Sequence, residues 1–159
     1  METFFIENGA VILKLIVAVV LGIVIGAERL LVHKEAGMKT HALVALGAAV
    51  FMIISEAINA QYATIGGFDP TRIASQIIVG IGFLGAGSIM LQGSRLRGLT
   101  TAGGLWVTAG IGMAAGFGLF SLAVISTVLV LFIFIVVSIF EKPIQKISDE
   151  NLSKEENNI

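Results

Sequence analysis

The sequence predicts an all-α fold: a polytopic membrane protein with five transmembrane helices, its N-terminus outside and its C-terminus cytoplasmic. Three observations carry this. Hydrophobic residues make up 56% of the 159 residues and charged residues 13%, at a mean hydropathy of +0.96. A soluble domain carries roughly 25% charged residues and could not cover its surface with so few. Glycines crowd positions 80, 82, 85, 87, 98, 103, 104, 110 and 112. In a water-exposed helix each would cost about 1 kcal/mol relative to alanine, whereas in lipid small residues let backbones approach and gain dispersion contact. Finally, the basic residues sort to one side of five apolar segments. Residues 1–140 are therefore expected to form one transmembrane domain, and 141–159, with five acids and three lysines, a flexible polar tail.

Segment one runs from about Ala10 to Leu31. Its apolar middle spans a bilayer if Lys14 and Arg29 snorkel to opposite interfaces. Segment two, Thr40 to Ile58, takes Thr40 as its cap. A short polar connection with a Gly66-Gly67 turn follows. Asp69 then caps segment three, Thr71 to Leu91, with Pro70 at a position where its missing N–H costs nothing. Arg72 and Gln76 share a face of that segment, four residues apart. A basic loop with Arg95 and Arg97 leads to segment four, Leu99 to Ala115, which Gly103-Gly104 is expected to break. Segment five, Leu119 to Phe140, has no charge and no glycine and should face lipid. Arg29, Lys34, Lys39, Arg95, Arg97, Lys142 and Lys146 fall on one side of this arrangement, Lys14 and Arg72 on the other. The positive-inside rule sets the orientation stated above.

Several function classes are disfavoured. A net charge of −1 and the lack of an aromatic-interleaved basic patch speak against nucleic-acid binding. There is no cysteine, so disulfides and thiolate metal sites are excluded. Glu2 and Glu7 occupy what would be the basic region of a signal peptide. Lys39-Thr40 suggests a phosphate-binding loop, but His33 and Met38 stand where that motif needs glycine. Gly80 to Gly85 spells GxGxxG inside an apolar helix, without the strand and acidic residue a dinucleotide site requires. Glu28 and Glu35 are expected at one end, Glu56 and Asp69 at the other, so no carboxylate cluster for a metal is visible. No nucleophile–base pair indicates an enzyme. The expectation is no catalysis, cofactor or bound metal.

The intramembrane polar residues leave choices open. Glu28-Arg29 either marks the interface or turns inward, with Glu28 joining Thr100 or Thr101. Arg72 either snorkels beside Asp69 or pairs with Glu56, Gln76 extending the polar face. His33 and His41 have no ligand spacing, and Trp106 reads as packing. Among the glycines, Gly80 and Gly87 share one face of segment three, with Gly82 and Gly85 nearly opposite. Gly112 with Gly116 and Gly22 with Gly26 form GxxxG pairs, and Gly104 adds to the packing surface of segment four. Segment three is expected to pack on segment four. The segment-one pair is expected to be free for a homodimer or another partner.

Four stretches together resemble the MgtC/SapB family of bacterial membrane proteins: LGIVIGAERL (21–30), AGMKTHALVALGAAVF (36–51), RIASQIIVGIGFLGAGSIM (72–90) and RGLTTAGGLWVTAGIG (97–112). The resemblance implies a multi-pass protein of the bacterial inner membrane, linked to magnesium homeostasis, acid resistance and virulence. It carries over Glu28 and Arg29, Lys39, Thr40 and His41, Arg72 and Gln76, the segment-three glycines, and Arg97 to Thr101, including Thr100 and Thr101. The virulence-associated members have asparagine where Thr100 stands and continue into a soluble ACT-like domain. This leaves two readings: a non-catalytic regulator acting through other inner-membrane proteins, with a dimer favoured, or a small oligomeric transporter of Mg²⁺ or protons. The bilayer is a partner in both.

Overall fold

The computed structural model describes residues 2–62, 69, 71–93 and 95–140, the side chains of 2–7 and 95 excepted. The Gly66-Gly67 turn, Pro70 and the tail with Lys142 and Lys146 lie outside the described residues. Within them are five helices: α1 (Glu2–Leu31), α2 (Met38–Tyr62), α3 (Thr71–Gly87), α4 (Leu99–Gly116) and α5, which starts as Phe120–Phe132. A π-helical turn, Ile133–Val137, carries α5 onward to Phe140. Three stretches are long and apolar enough to cross a membrane: Asn8–Leu31, Met38–Tyr62 and Phe120–Phe140. At 1.5 Å per residue the 17 residues of α3 reach about 26 Å and the 18 of α4 about 27 Å, slightly less than a hydrocarbon core of about 30 Å.

The boundaries differ from the expected ones for local reasons. Helix α2 begins at Met38, so Thr40 lies inside its first turn and caps nothing; His41 N–H already bonds the Gly37 carbonyl at 3.2 Å. Helix α3 stops at Gly87, where Ser88 turns its N–H and hydroxyl back onto the Gly85 carbonyl. The chain then forms a hairpin of β1 (Met90–Gln92) and β2 (Arg95–Arg97), paired antiparallel, with Gly93 at φ 64° in its turn. Gly98 closes this connection. It adopts φ 89°, and a Cβ there would strike the Ser88 carbonyl. Helix α4 passes through Gly103-Gly104 without a break.

Helix α4 is the hub, packing against every other helix. It is also less apolar than a lipid-facing span, which fits a helix surrounded by protein. The main core is made of small side chains: six of its ten buried residues are alanine (Ala18, Ala45, Ala49, Ala114, Ala115 and Ala123). Two GxxxG pairs explain this. A Cβ on Gly22 would lie 2.7 Å from the His41 carbonyl, and one on Gly26 2.5 Å from Met38 Cα. On α4, Gly112 and Gly116 meet Ala45 and Ala49 in the same way. Helix α2 is thus held on two sides, antiparallel to α1 and parallel to α4. The pair on α1 is not free; it builds the α1–α2 crossing.

Helix α3 sits at the edge. It packs on α4, where Gly85 meets Ala102, and only lightly on α2. Its first turn is capped as expected: the Asp69 carboxylate accepts from Thr71 N–H at 2.9 Å and from its hydroxyl at 2.6 Å. Helix α5 keeps one buried stripe of Ala123, Thr127 and Val130; most of its remaining side chains are exposed and apolar.

Two outcomes test this packing. Gly112→Ala forces a methyl group into the α2 backbone, and such overpacking costs about 1–3 kcal/mol. It should lower the yield of folded protein in mild detergent by size-exclusion chromatography. Gly110→Ala, with open space around it, should not. The second test uses the α3 cap. Bonds from the Thr71 hydroxyl and N–H hold the Asp69 carboxyl below its ordinary pKa. Its contribution to the first turn is therefore present above that ordinary value and lost as pH falls through the lowered one. Amide protection at Thr71–Ile73 should fall as the pH drops well below about 4. In Asp69→Ala it should be low throughout.

Candidate functional site: a buried polar cluster at one end of the bundle

The end of the bundle where α1 meets α2 gathers most of the polar residues singled out above. Arg29, in the last turn of α1, is 3% exposed and paired with Glu28. Its guanidinium lies 3.5 Å from the centroid of the Phe134 ring. A buried ion pair gains little unless its remaining polar capacity is met, and the ring face supplies a second favourable contact for the cation. Phe134 reaches this place because α5 is π-helical there and because α4 offers Gly104. A Cβ on Gly104 would come within 3.1 Å of the Phe134 ring and 3.5 Å of His41 Cε1. Gly104 is a seat for two rings.

His41, carried as a candidate by the resemblance although its spacing gave it no ligand role, belongs to this cluster. It is fully buried, and its Nδ1 lies 2.8 Å from the Thr108 hydroxyl, which donates to the Gly104 carbonyl at 2.8 Å. With the Thr108 proton so used, the hydroxyl accepts from His41, and Nδ1 carries the hydrogen. Nε2 is then an acceptor with no hydrogen-bond partner among the described residues. A signal was available: His41 continues the buried stripe of Ala45, Ala48, Ala49, Met52 and Ser55 along α2.

The other candidates scatter around this cluster. The Thr101 hydroxyl donates to Glu35 at 3.3 Å, a long bond. Thr100 is exposed and lines a cleft of about 440 Å³ with Arg29 and Lys34. Glu28 therefore turns to its neighbour Arg29, and Thr100 shares the cleft with that arginine. Lys39, Thr40 and Arg97 are exposed. At the opposite end, Glu56 pairs with Lys14 at 2.6 Å. The expected Glu56–Arg72 pair is corrected: α1, not α3, supplies the cation. Arg72 and Gln76 instead line a groove of about 720 Å³ between α2 and α3, walled by Leu43, Gly47, Phe51 and Gly80. Trp106 is 53% exposed on the outside of α4. Among the described residues no three His, Asp or Glu side chains are grouped to hold a metal ion.

Comparisons with known proteins agree on one family. The sequence profile of the MgtC family matches residues 15–143. Protein MgtC of Salmonella typhimurium LT2 is 44% identical over 120 residues, covering 76% of this chain and 49% of the relative. Protein MgtC of Brucella abortus is 45% identical over 114 residues, 72% of this chain and 45% of the relative. YhiD of Escherichia coli K12, named a candidate magnesium transporter, is 39% identical over 124 residues, 77% of this chain and 58% of the relative. The chain thus spans about half the length of the curated relatives it matches. No solved structure matches it.

The buried bonds make a direct prediction. Thr108→Val removes the partner of a buried imidazole at nearly constant volume and should cost about 1–3 kcal/mol. His41→Leu removes the other side of the same bond. In a double-mutant cycle read by thermal unfolding in detergent, the pair should cost clearly less than the sum of the single variants.

Proposed function

The chain belongs to the MgtC family, and from that premise we propose that it is a five-span, non-catalytic inner-membrane protein of magnesium and acid-stress homeostasis that works by lending a helix face to another membrane protein. The magnesium link rests on the family and on the name of the YhiD relative. The basic residues of the Arg29 end support a cytoplasmic location for that end under the positive-inside rule.

The observation that carries the reading is helix α3. Only Ile81 and Gly85 are buried along it, and a Cβ at Gly80, Gly82 or Gly87 would meet nothing within 4 Å. Small residues in lipid favour close helix contact. Gly80 lines the α2 groove beside Gln76, and Gly87, two turns on along the same side of α3, lines a separate cleft with Thr40 and Ser88. A partner helix seated in the groove would meet Gly80 and Gly47 with its backbone and bring an acceptor level with Arg72 and Gln76. The contact face expected on α1 thus moves to α3.

The groove also gives the transporter reading its one support, since Arg72 and Gln76 are polar groups at the wall of a large cavity. That cavity is otherwise lined almost wholly by apolar side chains, a poor path for an ion that must shed its water.

Gly80→Leu separates the two readings. Under the partner reading the variant should fold normally in detergent yet fail to restore growth at low magnesium in a strain lacking the wild-type protein. Purified wild type in proteoliposomes should pass neither Mg²⁺ nor protons above the rate of empty vesicles. Flux that is abolished by Gln76→Leu would overturn the proposal.

A further inference from the structure

The cleft at the Arg29 end has a chemistry the partner reading does not use. Its polar lining includes Arg29, Lys34 and Thr100, two cations and a hydroxyl, with no carboxylate among the lining residues. Glu28 bonds Arg29 through Nε, on one side of a planar fork with five donors. Lys34 has no carboxylate within ion-pair distance among the described residues. Ser138 also lines the cleft, but its hydroxyl is turned back to the Phe134 carbonyl.

The opposite wall is apolar and unusual in its backbone. Ile133, Phe134, Val137 and Ser138 line the cleft from the π-helical turn and the residue after it. Such turns inside α-helices occur frequently at functional sites. Leu31, Ile133 and Val137 line the cleft and are also exposed, Leu31 at 78%. In a membrane protein such side chains meet acyl chains, so the cleft opens sideways toward lipid. A small soluble anion would use the cations and leave these walls without a role. A zwitterionic headgroup would bring its own cation toward Arg29 and Lys34.

We propose that this cleft holds the headgroup phosphate of an anionic phospholipid from the leaflet at the Arg29 end. Arg29, Lys34 and Thr100 supply the donors, and the first methylenes of the acyl chains lie against Ile133 and Val137. Basic residues at a membrane surface attract anionic lipid in general; a buried arginine behind them makes this a defined site.

The test is native mass spectrometry of the full chain in detergent, offered equal amounts of phosphatidylglycerol and phosphatidylcholine with matched acyl chains. Wild type should retain one phosphatidylglycerol in about tenfold preference. Lys34→Gln with Thr100→Val should reduce the preference to about twofold or less, with helix content by circular dichroism unchanged. Lys39→Gln removes the same charge at the same end but outside the cleft and should leave the preference intact. Equal retention of the two lipids by wild type would overturn the proposal. So would a loss in Lys39→Gln as large as in the cleft variant, which would mean surface charge alone. Displacement of the lipid by inorganic phosphate would also overturn it, because the site would then be one for a free anion. If the double variant does not fold, Val137→Trp blocks the cleft from its lipid side and must lower retention to the same level.

Discussion

The structure depends on the grip of two glycine pairs on α2. Lipid offers no hydrophobic force between helices, so association rests on dispersion at short range and on hydrogen bonds. Both require backbones to come close. Gly22 and Gly26 from α1 and Gly112 and Gly116 from α4 remove the side chains that would hold α2 away. The four-residue spacing repeats on α2 itself, where Ala45 and Ala49 receive Gly112 and Gly116. A mixture of small residues at one helical period on three helices therefore sets two crossings at once. With α2 fixed between α1 and α4, α5 completes the core over Ala123, Val130 and Phe134.

The same grip positions the polar cluster. Gly22 lies against the backbone of His41, so the close α1–α2 crossing carries His41 to a depth where its ring is wholly buried. Gly104, nearby on α4, makes room for that ring and for Phe134, and Phe134 in turn carries Arg29 on its face. Each polar side chain here reaches a partner through a residue that is small or a helix that is locally distorted. A buried arginine and a buried histidine are costly in lipid. Their cost is offset by Glu28, Thr108 and the aromatic ring only in this one arrangement.

Much of the fold was legible in the sequence because local chemistry decides it. Apolar run lengths place the helices, and Asp69 with Thr71 fixes the start of α3. What local chemistry does not contain is lateral neighbourhood. Glu56 was assigned by its end of the bundle, and two cations were expected at that end; the choice of Lys14 over Arg72 depends on α1 lying beside α2. Gly103-Gly104 looked like a break because glycine weakens helices in water, but a helix enclosed by four others is held by its surroundings. The hairpin at 90–97 was hidden because Met90 and Leu91 extend an apolar run, and only Gly93 and Gly98 with their positive φ reveal the turn. In the candidate site, Arg29 and Thr100 were readable as polar groups in an apolar chain. His41 was a candidate through the resemblance, but its partner was not readable, because nothing in the chain tells which residue a threonine 67 positions away will meet.

Helix α3 marks the limit of an account based on the chain alone. A glycine inside a helix gives up stability relative to alanine unless something uses the missing side chain. At Gly22, Gly26, Gly112 and Gly116 the use is visible, since any Cβ would meet backbone. At Gly80, Gly82 and Gly87 there is open space, and alanine would fit the isolated protein without strain. The fold of the monomer therefore accounts for the first four glycines and gives no reason for the other three. Under the proposed function a neighbour from outside the chain would supply that reason, because a second backbone gains from close approach to a surface with so little on it. Of these open glycines Gly80 lines the groove, where α3 stands away from α2 and Arg72 has no ion-pair partner among the described residues. Packing that is close where α2 meets α1 and α4 and light where it meets α3 divides the protein into a scaffold and a face. The proposed docking surface follows from that division.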